Sequence, residues 1–177
     1  MEAPLRFRLR GIEEGVSRRA FEVSTADLDL TSSADLEYVG PVRLDVELAR
    51  SGDQLQIRGG VRVAVRQRCV RCLEPVDSEV QGALSVVARR PDPGESTEDP
   101  PEGMLYHDSE SFDLGGEVRE LILIEVPAYP LCRPDCAGLC PRCGADRNAG
   151  LCPCRETVPG DPRLAALRAL RETPPER

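Results

Sequence analysis

Leu5, Phe7 and Leu9 alternate with Arg6, Arg8 and Arg10, the period-two pattern of a strand with one buried face. Val42, Leu44, Val46 and Leu48 repeat it against Arg43, Asp45 and Glu47. A third stretch, Leu55 to Gln67, puts Leu55 and Ile57 on one face, and Val61, Val63 and Val65 resume that face. Gly59-Gly60 predicts a bulge or bend within it. Ser51-Gly52-Asp53 is turn chemistry, so the second and third stretches are expected to form an antiparallel hairpin. Glu79 to Ala88 is a further strand, with Val80, Leu84 and Val86 on one side. Val16 to Val23 reads as a strand and Thr25 to Leu30 as a short helix or turn.

The pattern then changes. Residues 91–103 hold four Pro, five acidic residues and no basic one, a composition that cannot bury a core and predicts a mobile loop. Leu114, Val118, Leu121 and Ile122 have helical spacing, with Asp113 as N-cap and Pro127 as stop. Asp161-Pro162 opens a last helix striped by Leu164, Leu167 and Leu170. The expected fold is α+β: a mainly antiparallel, barrel-like β-domain with one or two helices and a C-terminal cysteine-rich zinc-knuckle segment. Its expected parts are a β-domain (1–90), an acidic Pro-rich mobile loop (91–110), and a helix, zinc module and C-terminal helix packed on the β-domain (111–177).

Composition narrows the class. The 20 Leu and 16 Val make an aliphatic core possible, while three Phe, three Tyr and no Trp keep it poor in rings. All 23 basic residues are Arg, and the net charge is −8, so the overall field does not draw the chain onto nucleic acid. No apolar run is long enough for a transmembrane helix. The first residues lack an apolar signal core, so the expected location is cytoplasmic, without membrane contact. In a reducing compartment eight cysteines point to metal rather than disulfides.

Those cysteines form a Cys-x2-Cys at Cys69 and Cys72, then Cys132, Cys136, Cys140, Cys143, Cys152 and Cys154. A zinc ion takes four thiolates in a tetrahedron, and Cys-x2-Cys knuckles supply two from one turn. Eight sulfurs make two closed, structural zinc sites with none left over. Cys140, Cys143, Cys152 and Cys154 are near enough in sequence to close a site locally, helped by turns at Gly144, Asn148 and Gly150. That leaves Cys132 and Cys136 to meet Cys69 and Cys72. The alternative that joins Cys69 and Cys72 to Cys140 and Cys143 stays open. An iron–sulfur cluster also takes four thiolates. A redox dithiol would need a helix N-terminus near a βαβ unit, whereas Cys69 follows a strand.

Other chemistry is thin. The single histidine, His107, falls in the acidic loop region and is expected to face solvent. Neither a paired nucleophile and base nor a phosphate-binding glycine motif is present, so the chain is not expected to be an enzyme and no small-molecule substrate is expected. Five arginines, Arg58, Arg62, Arg66, Arg68 and Arg71, crowd the third stretch and its knuckle against one acid, Asp53. If Arg6, Arg8 and Arg10 lie on a neighbouring strand, the two rows make a basic face suited to phosphate. The plainer reading is a solvated face paired with acids on adjacent strands. No aromatic residues interleave these arginines, so no base-stacking platform is expected.

Together the motifs resemble a known family. Val65-Arg66-Gln67-Arg68-Cys69-Val70-Arg71-Cys72-Leu73-Glu74-Pro75-Val76 is similar to the Cys-x-Arg-Cys-Leu-Glu-Pro element of the YceD family, the large ribosomal RNA subunit accumulation proteins. Asp113 to Glu120 resembles that family's helix start, and Ile124-Glu125-Val126-Pro127-Ala128-Tyr129-Pro130-Leu131-Cys132 its proline-bounded exit. Cys136 to Asp146 resembles the cysteine-rich form of its tail, and Asp161 to Leu167 its closing element. The resemblance implies a bacterial cytoplasmic factor needed for large-subunit rRNA to accumulate. Its implied partners are precursor rRNA, a large-subunit ribosomal protein, or both. The alternative is an acidic adaptor or chaperone that shields a basic ribosomal protein without touching RNA. Family tails with His at positions like Cys132 and Cys136 imply that these two serve the same ion as Cys69 and Cys72.

Overall fold

In the computed structural model, which describes residues 5–97, 100–108, 110–150 and 152–154, the alternating stretches become strands. These are β1 (Arg6–Arg8), β2 (Gly15–Val23), β3 (Leu36–Ser51), β4 (Gln54–Arg68), β5 (Pro75–Arg89), β6 (Met104–Tyr106) and β7 (Ser111–Asp113). One α-helix, α1 (Gly115–Glu125), is present among the described residues, and no helix there is long and apolar enough to cross a membrane. The second expected helix lies outside the described residues. The chain divides into two compact units, Met1–Cys136 and Ala137–Arg177, each described by itself.

In the first unit the main sheet has the order β2-β3-β4-β5-β6 and is open, not a closed barrel. Its pairings are antiparallel except for β5 with β6. The β3–β4 hairpin turns at Gly52 and Asp53, with Gly52 at φ 60°, as the turn residues predicted. The apolar positions of β3, β4 and β5 face a common core, which α1 closes with Val118 and Ile122. The bulge sits in β3, between Val39 and Arg43, and not at Gly59-Gly60. It inserts an even number of residues, so Tyr38 and Val42 stay on the inner face. Gly59 pairs regularly with Val46. Its missing side chain makes room for β3, because a Cβ there would lie 2.1 Å from the Asp45 carbonyl oxygen.

The condition for a joint basic face, Arg6, Arg8 and Arg10 on a strand beside β4, is not met. Instead β1 pairs with β7 in a separate two-stranded sheet, and Leu9–Gly11 forms a 3₁₀ turn. The three phenylalanines explain why. Phe7 stacks on Phe112 at 5.1 Å and meets Phe21 of β2 edge-on at 5.2 Å, which ties the small sheet to the core. The stretch expected to be a mobile loop carries β6, because Glu95 binds both the Arg89 guanidinium and the Tyr106 hydroxyl and draws the segment against β5. His107 is buried rather than solvent-facing: its Nε2 lies 2.7 Å from the carbonyl oxygen of Asp53 in the β3–β4 turn. The N-cap of α1 is Leu114 and not Asp113, which sits one position earlier and accepts a 2.8 Å bond from the Gly115 N–H.

Candidate metal centres

Cys69 and Cys72 form the loop of the β4–β5 hairpin, because β4 ends at Arg68 and β5 begins at Pro75. The loop is held by the Cys69 N–H on the Glu74 carbonyl (2.8 Å) and the Leu73 N–H on the Cys69 carbonyl (2.9 Å). Pro127 ends α1, and the chain then returns to this loop, where the Val70 N–H donates to the Pro130 carbonyl at 3.0 Å. Cys132 and Cys136 arrive with it. The Sγ atoms of Cys69, Cys72, Cys132 and Cys136 all lie within 4.8 Å of one another, with Cys69–Cys136 at 3.9 Å and Cys72–Cys132 at 3.6 Å. Val76 and Leu131 pack around Cys69, Cys72 and Cys136.

The second unit repeats the device locally. The Cys140 N–H donates to the Ala145 carbonyl (2.8 Å) and the Gly144 N–H to the Cys140 carbonyl (2.9 Å). The Sγ atoms of Cys140, Cys143, Cys152 and Cys154 also lie within 4.8 Å of one another, with Cys143–Cys152 at 3.8 Å. Between them Arg147–Ala149 makes a 3₁₀ turn whose Asp146 side chain accepts from the Asn148 N–H. Asn148 in turn accepts from the Ala137 N–H at 2.8 Å. The two knuckles therefore share a bonding pattern and a left-handed residue after the second cysteine: Leu73 at φ 65° and Gly144 at φ 72°. The grouping is the one local and one distant set expected from spacing. The pairing of Cys69 and Cys72 with Cys140 and Cys143 does not form.

Both sets fit a single metal ion. A tetrahedron with metal–sulfur bonds near 2.3 Å has sulfur–sulfur edges of about 3.8 Å, and the Cys69–Cys136, Cys72–Cys132 and Cys143–Cys152 separations match it. They are far longer than a disulfide, and all eight cysteines are free. A multi-iron cluster would spread its thiolates over several metal atoms and so hold them farther apart. The electrostatics point the same way. N–H groups of Cys132, Cys72 and Arg71 aimed at Cys69 bring its thiol down to about 6 against the cost of burial. The N–H groups of Cys143 and Arg142 do the same for Cys140, also to about 6. Cys132 is pushed up to about 12 by desolvation and by the sulfurs of Cys72 and Cys136. Cys154 is pushed up to about 12 by the Cys143 sulfur and by desolvation. In one cluster Cys69 ionises readily while Cys72 and Cys132 resist, and in the other Cys140 does so while Cys152 and Cys154 resist, a conflict that a cation at the centre removes.

Of the five arginines, Arg58, Arg62, Arg66 and Arg68 do share the outer face of β4. Arg62 binds Asp45 at 2.8 Å, and Arg66 binds Asp77 at 2.7 Å and Glu37 at 3.7 Å. Neighbouring pairs complete the lattice: Arg18 with Glu47 and Arg43 with Glu22. Arg58 sits opposite Glu47 in register, and Arg68 lines a cleft beside Leu73. Arg71 is turned onto its own chain, donating to the carbonyls of Cys136 (2.8 Å) and Pro134 (3.5 Å). Sequence reading missed this role, although the position of Arg71 between two metal-type cysteines was visible.

An open α+β sheet with two four-thiolate knuckle sites defines a protein organised around metal-type centres. The family model described as large ribosomal RNA subunit accumulation protein YceD matches residues 57–171, more than half of the chain, and the chain belongs to that family. It is 36% identical over 103 residues to an uncharacterized protein of Mycobacterium tuberculosis, covering 57% of this chain and 49% of that one. It is 25% identical over 146 residues to the chloroplastic large ribosomal RNA subunit accumulation protein YCED homolog 1 of Zea mays, covering 65% of this chain and 49% of the relative. The Arabidopsis thaliana protein of the same name is 24% identical over 140 residues, covering 64% and 44%. The chain thus spans about half the length of the curated relatives it matches. No solved structure matches it.

Proposed function

We propose that this chain is a non-catalytic ribosome-biogenesis factor of the bacterial cytoplasm, needed for large-subunit rRNA to accumulate. Membership of a family described by that role, with plant relatives that carry the same description, is the observation that supports it. Zinc is the ion proposed for both clusters, because four thiolates on tight knuckles suit it, and its role is structural. Cys69, Cys72, Cys132 and Cys136 would hold one ion and Cys140, Cys143, Cys152 and Cys154 the other. Four protein ligands leave no position for water, so no chemistry is assigned to either ion.

The factor acts by binding precursor rRNA, a large-subunit ribosomal protein, or both. A specific observation favours the protein partner. Arg62 and Arg66 are neutralised by carboxylates on adjacent strands, so phosphate would have to displace them. Sedimentation of the tagged protein from native lysate tests the function. Co-migration with large-subunit precursors, or with a large-subunit ribosomal protein in a light RNA-free fraction, is expected. A light fraction with neither overturns the proposal. Changing Arg62, Arg66 and Arg68 to Ser tests the mode: unaltered RNA affinity and salt slope would exclude direct contact through β4.

A further inference from the structure

The outer face of the sheet and the back of α1 treat charge differently. On the sheet, Glu22, Glu37, Asp45, Glu47 and Asp77 each have an arginine within 4.0 Å. Between α1 and the β5–β6 edge lies a groove of about 560 Å³ in which this balance fails. Its apolar floor includes Met104, Leu121 and Ile124, and Ile124 is 71% exposed. Its lip carries Glu102, Glu117 and Glu120, and among the described residues none of these carboxylates has an ion-pair partner. Glu117, Glu120, Leu121 and Ile124 fall at helical spacing, so α1 buries one stripe in the core and turns a second, mixed stripe to the groove.

We propose that this groove docks a basic, amphipathic segment of a partner protein. The partner's apolar side chains would cover Met104, Leu121 and Ile124, and its Arg or Lys side chains would meet Glu102, Glu117 and Glu120. The argument is complementarity. Apolar surface gains by being covered, and a lip of unpaired carboxylates repels nucleic acid and selects cations. Burial and the neighbouring Glu120 charge already hold the Glu117 carboxyl above its ordinary range, and a docked cation offsets the repulsion between the two carboxylates. The inference rests on the protein-partner form of the proposed function and names the surface through which it acts.

The test is fluorescence anisotropy of the full chain with a synthetic helical peptide of Leu, Ala and Arg, arginines on one face. The same peptide with Glu for Arg is the control. The arginine peptide is expected to bind, more weakly as salt rises, and the glutamate peptide is not. Glu117→Gln with Glu120→Gln should weaken binding at least tenfold, as should Ile124→Ser. Glu79→Gln, on the outer sheet face, should leave it unchanged. Metal content and thermal melting of each variant establish that the fold is intact. No binding by the wild type, equal binding of both peptides, or equal binding by the groove variants would each overturn the proposal. Peptide binding is read in vitro, so it stands or falls separately from whether the chain sediments with large-subunit particles.

Discussion

The two four-cysteine clusters have the same ligands and the same knuckle bonds, yet they hold very different lengths of chain. Cys140, Cys143, Cys152 and Cys154 close a short local loop, and Cys143 stays exposed. In the other cluster Cys72 and Cys132 meet across 60 positions of sequence, and Cys69 is fully buried. A link that closes a longer loop removes more freedom from the unfolded chain. The distant cluster therefore works as a staple of residues 127–136 to the β4–β5 hairpin, whereas the local one shapes only its own knuckle. The packing agrees: Val76 and Leu131 surround the staple, and Arg71 bonds across it to the Cys136 carbonyl.

Five variants test that difference, the largest effect first. Cys69→Ser with Cys72→Ser should remove one of two metal equivalents and destabilise the chain by more than about 4 kcal/mol, read by metal analysis and thermal melting. Arg71→Ala loses the bonds to Cys136 and Pro134 and should cost about 1.5 kcal/mol. Chelator release should quicken for the staple ion and not for the other, seen as one altered phase of a two-phase release. The knuckles also differ at their left-handed residue. Gly144 adopts its φ freely, whereas Leu73 does so at a cost of about 1–2 kcal/mol. Leu73→Gly should accordingly raise the melting temperature slightly or leave it unchanged, and Gly144→Leu should lower the metal affinity of the local site. Smallest is the effect of Cys140→Ser with Cys143→Ser on the sheet. One metal equivalent is lost, but the main melting transition should move by less than about 3 °C, under about 1 kcal/mol. A collapse of the sheet in that variant would erase the distinction between staple and knuckle.

What could be read from residues alone follows from how local the physics is. The faces of β3, β4 and β5 were legible because their valines and leucines alternate over long runs. The cysteine grouping was legible because four of the eight are close enough in sequence to close a site unaided. Features set by distant neighbours were not. His107 is buried through the Asp53 carbonyl, 54 positions away, and nothing in its polar neighbourhood announces that. Gly59 looks like a bend in sequence, but its role comes from the approach of Asp45 and Val46 on the next strand. The β4 arginines read as a basic row until β3 and β5 bring Asp45, Glu37 and Asp77 beside them. The row at Arg6 to Arg10 has the same alternation as β4, yet Phe7 commits β1 to Phe112 and a different sheet. On α1 the core stripe was clear, and the second stripe of Glu117, Glu120 and Ile124 acquires meaning only beside Met104 of β6.

The most direct test of two closed four-thiolate centres is metal analysis of the purified full chain with X-ray absorption at the zinc edge. Two zinc ions per chain, each with four sulfur neighbours near 2.3 Å, are expected. Fewer than two ions, or a shell containing nitrogen or oxygen, would contradict the assignment of all eight cysteines and the distinction between staple and knuckle.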